Sequence, residues 1–115
     1  MKTQRPWGSY SVLNTGKGFK VKLVVVALGK RLSLQKHNYR SEHWVVVSGT
    51  AKITNDRDTI YLDANESTYI PISCAHRISN PTDSILRIVE VQSGAYLEED
   101  DIERLEDKYG RIESA

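Results

Sequence analysis

The segment "LSLQKHNYRSEHWVVVSGT", residues 32–50, joins a cluster of polar side chains to a strongly apolar run. A glutamine, two histidines, an arginine and a glutamate fall within nine positions, and Trp44 and three valines follow directly. Because side chains alternate across a strand, Gln35 and His37 point to one side, and after the turn Glu42 and Trp44 face the same interior. The segment therefore predicts a strand that carries a polar site into the core.

Strand-forming residues recur along most of the remaining chain. Val, Ile, Tyr and Thr are frequent in short runs that are separated by Gly, Asn, Asp and Pro, the residues of tight turns. The runs cover residues 19–28, 31–34, 43–49, 51–54, 59–62, 67–72 and 84–94. Close spacing without intervening helices predicts an all-β fold, an antiparallel sandwich or closed barrel.

The C-terminal tail has a different pattern. Ile102, Leu105 and Tyr109 have helical spacing, and acidic residues precede them where a helix dipole favours negative charge. We expect a short C-terminal helix over residues 97–111, lying on the barrel.

Composition restricts the class of protein. A chain of 115 residues fits a single domain over residues 1–115, and 16 basic against 15 acidic residues give no broad basic surface for nucleic acid. Cys74 is the single cysteine, so no internal disulfide can form. We find no apolar run long enough for a membrane span and no signal-peptide core, so we expect a cytoplasmic protein with no membrane partner.

A second polar cluster, "PISCAHRISN" at residues 71–80, supplies His76 at the start of another predicted strand. Two imidazoles, a carboxylate and an amide oxygen that converge inside a barrel form a suitable shell for one divalent metal ion. The alternative is that each histidine is a surface or hydrogen-bonded residue, as histidines beside strands usually are. The predicted ligands are Gln35, His37, Glu42 and His76, and the mixed oxygen and nitrogen set favours zinc, with manganese, cobalt, iron or nickel as alternatives.

The spacing of these residues resembles the two signature motifs of the cupins. The first motif reads Gly29, Gln35, His37, Glu42 and Gly49, and the second places Asn65, Pro71, Ser73, His76 and Asn80 in order. The resemblance implies a cupin-type antiparallel β-barrel, also called a double-stranded β-helix or jelly roll. Gln35, Asn65 and Ser73 replace the usual His, Gly and Gly. Asn tolerates positive φ, whereas Ser73 indicates that the tight turn need not be left-handed.

Longer strings are similar to one cupin subfamily, the type II mannose-6-phosphate isomerase domain, which is also the C-terminal part of bifunctional mannose-1-phosphate guanylyltransferases. These strings are "RPWGSY" (5–10), residues 34–53, residues 66–81 and residues 89–111. In this family Gln-x-His is the normal ligand pattern. The resemblance implies metal-dependent interconversion of mannose 6-phosphate and fructose 6-phosphate through an enediol. The guanylyltransferase half has no counterpart here, so we expect a stand-alone domain.

The proton-carrying group is one of two candidates. Glu90 lies on a strand whose other face shows valines, and Lys22 lies in a similar strand, so either side chain can reach the cavity. A partly desolvated Lys or Glu can be tuned toward neutral pH. The alternative for each is the solvated face of its strand.

Substrate contacts are predicted near the ligand segments. Arginine binds phosphate through two donors, and the candidates are Arg5, Arg40, Arg77 and, closing over the cavity from the tail, Arg111. Trp44 and Tyr69 can stack on a sugar face or fill the core. We expect a small phosphorylated sugar as the ligand and a homodimer, with the segment around Trp7 covering the barrel or crossing to a partner.

Two other functions fit such a barrel. One is a non-catalytic, sugar-binding or regulatory metal-binding cupin, and the other is a cupin dioxygenase. Dioxygenases favour histidine-rich iron sites, whereas this chain has three histidines, of which His43 faces away from the predicted ligands. The sequence therefore favours the isomerase.

Overall fold

The computed structural model describes residues 2–56 and 58–106. Within these residues the chain forms eleven β-strands and no helix, and the paired strands are antiparallel. The strands are β1 (Lys2–Arg5), β2 (Gly8–Gly16), β3 (Phe19–Val26), β4 (Leu34–Lys36), β5 (Arg40–Ser48), β6 (Ala51–Asn55), β7 (Asp58–Leu62), β8 (Ser67–Ile70), β9 (His76–Ser79), β10 (Leu86–Gly94) and β11 (Glu103–Glu106). The all-β, antiparallel prediction is confirmed. No helix in the described ranges is long and apolar enough to cross a membrane.

The strands build two sheets that pack face to face. One sheet has the order β1-β2-β3-β10-β5-β8 and the other β11-β4-β9-β6-β7. Buried apolar side chains of the first sheet, such as Val46 and Ile88, form one cluster with Ile53 and Ile78 of the second. This shared core holds the sheets together, since burial of each such side chain contributes about 1.5–3 kcal/mol.

The N-terminal segment packs on its own chain. β1 pairs with β2, and Trp7, in the turn between them, is buried in the core cluster. The carbonyl of Trp7 accepts a hydrogen bond from the backbone N–H of Ala27. Trp7 therefore covers the interior, as one of the two expectations for this segment states.

The predicted C-terminal helix is wrong over residues 97–106. Residues 103–106 form β11, which pairs with β4, and Glu103 lies opposite Lys36. Without β11, the outer edge of β4 would expose unpaired backbone groups, and a strand satisfies them where a helix cannot. The predicted helical positions Ile102 and Leu105 thus lie before and within a strand. Residues 107–111, including Tyr109 and Arg111, lie outside the described residues.

Two turns of the second sequence motif adopt left-handed backbone conformations. Asn65 has a φ of 75°, as its side chain permits, and Ser73 has a φ of 62°. The sequence left the handedness of the Ser73 turn open, and the turn keeps the conformation for which glycine is suited, even though serine occupies it. The backbone N–H of Ser73 donates to the carbonyl of His37, which ties this turn to the first motif.

Candidate active site and metal centre

A cavity of about 140 Å³ lies between the two sheets. Polar side chains of β5 line this cavity, which explains why the strand carries them into the core. Alternation along β5 turns Arg40, Glu42 and Trp44 inward, and all three are buried, while His43 and Val45 are exposed. The same alternation turns Lys22 of β3 and Glu90 of β10 toward this interior. Ionisable side chains are therefore concentrated in one buried space.

The structure brings ten of the twelve predicted site residues to this cavity. They are Arg5, Lys22, Gln35, His37, Arg40, Glu42, Trp44, His76, Arg77 and Glu90. Tyr69 does not line it: its side chain is 48% exposed, and its ring lies 4.7 Å from that of His43 on the outer face of the sheet. Tyr69 follows the parity of His43, its partner across β5 and β8, which explains why it faces solvent. Arg111 lies outside the described residues.

Three predicted metal ligands form a compact buried cluster. The donor atoms of His37, Glu42 and His76 all lie within 4.8 Å of one another. His37 Nε2 is 3.4 Å from Glu42 Oε2, and the two imidazole rings are 4.9 Å apart between centroids. Residues from the turn before β5, from β5 and from β9 thus place two nitrogen donors and a carboxylate around one point.

Backbone carbonyls orient both imidazoles. His37 Nδ1 is hydrogen-bonded to the carbonyl of Asp101, and His76 Nδ1 to the carbonyl of Cys74 at 3.0 Å. A carbonyl only accepts, so each Nδ1 carries the proton and each Nε2 keeps its lone pair. This is the tautomer in which a histidine ligates a metal through Nε2.

The guanidinium group of Arg40 already contacts two of these three candidate metal ligands, Glu42 and His37. Arg40 donates from Nε to Glu42 Oε2 at 2.8 Å, and its Nη2 lies 3.2 Å from His37 Nε2. Trp44 Nε1 donates to the other Glu42 oxygen at 2.7 Å, which fixes the carboxylate. The two imidazole nitrogens and the carboxylate therefore present lone pairs to a cation, and these three residues fit a divalent metal ion.

Gln35 lies beside this cluster. It is paired with His76 across β4 and β9, and it lines the same cavity. Its amide nitrogen donates to Ser33 Oγ at 3.0 Å, so the amide oxygen is the atom left to act as a ligand.

Burial and neighbouring charges set the protonation of the cluster. Burial lowers the pKa of His37 to about 4, and it also lowers the pKa of His76. Burial alone would raise the pKa of Glu42, but the charges of His76, His37 and Arg40 and the Trp44 hydrogen bond outweigh it and lower that pKa to about 2. At neutral pH both imidazoles are neutral and the carboxylate is ionised, as metal ligation requires.

The two candidate proton carriers differ in their surroundings. Burial, followed by repulsion from Glu42, raises the pKa of Glu90 to about 8, against an opposing effect of Lys22. Lys22 Nζ lies 2.6 Å from Glu99 Oε1 and 4.2 Å from the centroid of the Tyr10 ring. Lys22 is thus engaged by Glu99 and Tyr10, whereas Glu90 is the carboxyl whose pKa is raised toward neutral pH, as exchange of a proton requires.

Two arginines near the cavity have other partners. Arg77 forms an ion pair with Glu106 at 3.1 Å, and Arg5 donates to the Gln4 carbonyl and lies 5.3 Å from the centroid of the Tyr10 ring.

Trp44 is fully buried and packs edge-on to His76, with 5.2 Å between ring centroids. Trp44 therefore supports the ligands from the core.

Sequence reasoning missed the contribution of the tail. The buried carboxylate of Asp101 accepts hydrogen bonds from the backbone N–H groups of Asn38 and Tyr39, at 2.8 and 3.0 Å. Glu99 reaches the cavity and pairs with Lys22. Glu99 and Asp101 are two positions apart, as side chains on one face of an extended segment are. This spacing is the signal that the helical interpretation overlooked.

Comparison with known proteins decides the family. Residues 1–107 match the family described as mannose-6-phosphate isomerase C-terminal. The chain belongs to this family. It is 60% identical over 107 residues to the alginate biosynthesis protein AlgA of Pseudomonas aeruginosa, which covers 93% of this chain and 22% of that protein. It is 50% identical over 108 residues to the mannose-1-phosphate guanylyltransferase of Escherichia coli K12, covering 94% of this chain and 23% of that protein. The chain thus spans less than a quarter of the length of these relatives.

Solved structures show that the domain has the cupin fold. A cupin domain of Schizosaccharomyces pombe Cnp3 superposes with a TM-score of 0.72 at 13% identity, covering 75% of this chain and 64% of that one. An oxalate decarboxylase of Lactobacillus farciminis gives a TM-score of 0.79 at 20% identity, covering 91% of this chain and 33% of that one. The predicted cupin architecture is confirmed, apart from the C-terminal helix.

We predict that Asp101→Ala weakens divalent-metal binding by the domain by about 10- to 100-fold. Without this carboxylate the backbone N–H groups of residues 38 and 39 lose their acceptor, so the backbone carbonyl of residue 101 is less firmly held against His37 Nδ1. Competition titration with a chromophoric chelator measures the affinity. Asp100→Ala is the matched control, since Asp100 is the exposed neighbouring acid. Equal affinities in the wild type and in Asp101→Ala would contradict this role.

We predict that the free energy of unfolding of the metal-free domain is greatest near pH 6.5 and falls by about 1 kcal/mol between pH 6.5 and 8. The pKa of Glu90 is about 8 when folded against an ordinary 4.5, so between these values the folded state keeps a proton that the unfolded state releases, and rising pH favours unfolding. The lowered pKa values of His37 and His76 act oppositely, mainly below their ordinary 6.5, and offset part of the decrease just above it. Urea unfolding across this range measures the change, and Glu90→Gln should abolish the decrease. Stability that rises through pH 8 would show that Glu90 ionises normally.

Proposed function

We propose that this domain is a metal-dependent aldose–ketose isomerase that interconverts mannose 6-phosphate and fructose 6-phosphate through an enediol. The observation that carries the proposal is the presence, in one buried cavity, of the His37–Glu42–His76 cluster and of Glu90 with its pKa near neutrality. The first can hold a Lewis acid and the second can move a proton. Membership of the family described as mannose-6-phosphate isomerase C-terminal supports the choice of reaction.

Gln35, His37, Glu42 and His76 would hold the metal ion, for which we propose zinc because the donors are nitrogen and oxygen. When bound, a divalent metal supplies Lewis-acid polarisation of the substrate oxygens and stabilises their developing negative charge. The protein contributes the orientation of both imidazoles through the Asp101 and Cys74 carbonyls. It also keeps all three clustered ligands buried, which strengthens electrostatic interactions around them.

Glu90 would transfer the proton between the two carbons. As a carboxylate it removes the C2 proton of the open-chain aldose, the C–H electrons form the C1–C2 double bond, and the C1 carbonyl oxygen takes the proton of the C2 hydroxyl by way of the enediol. Glu90, whose carboxyl proton exchanges with solvent, then donates a proton to C1 as C2 becomes the carbonyl carbon. A pKa near the working pH lets one group serve as base and then as acid.

We also propose that the domain forms a homodimer. Val45, Val47 and Tyr69 are exposed together on the outer face of β5 and β8. Apolar side chains that are adjacent on an open sheet face favour association with a second copy. Sedimentation velocity at micromolar concentration should give a dimer, and a monomer at every concentration would contradict the proposal.

The test of the isomerase is a coupled assay that detects fructose 6-phosphate formed from mannose 6-phosphate. The zinc-loaded chain should convert the sugar, chelation should stop the reaction, and added zinc should restore it. Metal binding without conversion would support a non-catalytic cupin. Oxygen consumption with an organic substrate and iron would instead support a dioxygenase.

A further inference from the structure

Three cationic side chains converge on the carboxylate of Glu99 beside the cavity. Lys22 Nζ is 2.6 Å from Glu99 Oε1, while Lys20 Nζ and Arg40 Nη1 lie 3.8 and 3.9 Å from Oε2. Lys22 and Lys20 come from the same strand, β3, and Arg40 begins β5. Glu99 comes from the tail segment between β10 and β11.

The cations are fixed in the wall, whereas the carboxylate lies at the surface. The side chains of Lys22 and Arg40 are each only 5% exposed, but that of Glu99 is 47% exposed. Lys22 is also held over the ring of Tyr10, Lys20 by the carbonyl of Leu97, and Arg40 by Glu42. An exposed glutamate can rotate away at small cost, but buried cations cannot follow it into solvent. The anion is therefore the replaceable partner.

Beside Glu99, one hydrogen-bond donor lacks an acceptor and one positive charge lacks a negative partner. Arg40 Nη1 is buried and has no hydrogen-bond partner among the described residues, because Glu99 Oε2 is beyond hydrogen-bonding distance. Lys20, Lys22 and Arg40 supply three positive charges against two negative ones from Glu99 and Glu42. Glu90 adds little negative charge at pH 7, since burial raises its pKa to about 8. The wall thus has an excess positive charge even without a metal.

We propose that Lys20, Lys22 and Arg40 form the subsite for the phosphate group of the substrate, and that Glu99 occupies this subsite until the phosphate displaces it. A phosphate monoester offers three oxygens where a carboxylate offers two, so it can satisfy Arg40 Nη1 as well as both ammonium groups. The class of ligand, a phosphorylated sugar, rests on the proposed function. The convergence of cations on an exposed carboxylate does not.

The position of Arg40 relates this subsite to the metal ligands. Its Nε contacts Glu42, while Nη1 faces Glu99, so the phosphate position and the donor cluster lie at different edges of one guanidinium. A ligand with an anionic end at Lys22 therefore extends past Arg40 toward His37 and Glu42. Arg5 and Arg77, which have the partners described above, are not required for this contact.

Binding of inorganic phosphate to the purified full chain tests the subsite. Isothermal titration calorimetry should show that Glu99→Gln binds phosphate about tenfold more tightly than the wild type, because the competing carboxylate is gone. Lys20→Gln should bind it about tenfold more weakly, and Lys22→Met should act in the same direction. Glu98→Gln is the matched control, since it removes the same charge from the exposed neighbouring residue and should leave the affinity within about twofold.

Equal phosphate affinity in the wild type and in Glu99→Gln, or an equal gain in Glu98→Gln, would overturn the inference. The Michaelis constant for mannose 6-phosphate separates it from the proposed function. If the protein does not turn over the sugar but its variants show the predicted changes in phosphate affinity, the isomerase proposal is contradicted and the phosphate subsite is supported. Turnover with an unchanged Michaelis constant and unchanged phosphate affinity in Glu99→Gln supports the isomerase and overturns the subsite.

Discussion

Glu90→Gln should lower the kcat for conversion of mannose 6-phosphate by at least about a thousandfold, a loss of roughly 4 kcal/mol of transition-state stabilisation. Glutamine keeps the shape of the side chain but can neither accept the C2 proton nor return it to C1. Because folded Glu90 is mostly neutral at pH 7, the substitution removes no buried charge there, and the melting temperature should not fall. Steady-state kinetics and thermal unfolding of the same preparations give both quantities.

Glu98→Gln is the control for this substitution, since it makes the same chemical change at an exposed position of the tail. Its kcat should equal that of the wild type. If Glu90→Gln retained kcat within tenfold, the proton would be carried by another group, and Lys22, which faces the same interior from the neighbouring strand, would be the next residue to substitute.

Substitution of either clustered histidine should remove the metal and the activity together. His37→Ala and His76→Ala each delete one of three buried donors that lie within 4.8 Å, and the loss of a ligand should weaken zinc binding by at least about a hundredfold. Isomerase activity at stoichiometric zinc should fall at least as far. Metal content after gel filtration, measured by mass spectrometry, and the coupled assay are the two readouts.

The third histidine provides an internal control. His43 lies on β5 one residue from Glu42 but faces the opposite side, where its ring contacts Tyr69. His43→Ala should therefore keep both zinc and turnover. Stoichiometric zinc in His37→Ala and His76→Ala would show that the cluster is not the metal site, and loss of zinc in His43→Ala would show that its effects come from general destabilisation.

The placement of the site residues on β5 and β10 was predictable because strand alternation is local. Once a strand is assigned around Trp44, the inward direction of Glu42 and the outward direction of His43 follow from parity. The same rule made Glu90 a candidate for the interior, with the solvated face of its strand as the alternative. It was not applied to Tyr69, whose pairing with β5 turns it outward with His43, because that register depends on a strand distant in sequence.

The tail was not predictable from local pattern. Its acidic residues and apolar spacing fit the first turn of a helix, but the edge of β4 competes for the same backbone. Asp101 is buried because it caps backbone groups of the 38–39 turn, and Glu99 is fixed by cations from β3 and β5. These are contacts across more than fifty residues, and tertiary partners of this kind override local preference.

Deuterium incorporation is the most direct test of the central claim that this cavity moves a proton between C1 and C2 of a sugar phosphate. Mannose 6-phosphate is incubated with the zinc-loaded chain in D₂O, and proton and carbon NMR follow the sugars over many turnovers. The predicted result is fructose 6-phosphate with deuterium at C1, together with deuterium at C2 of the remaining mannose 6-phosphate, because a proton held on a carboxyl group exchanges with solvent. Conversion with no deuterium at either carbon would contradict proton transfer through Glu90, and the absence of any fructose 6-phosphate would contradict the isomerase itself.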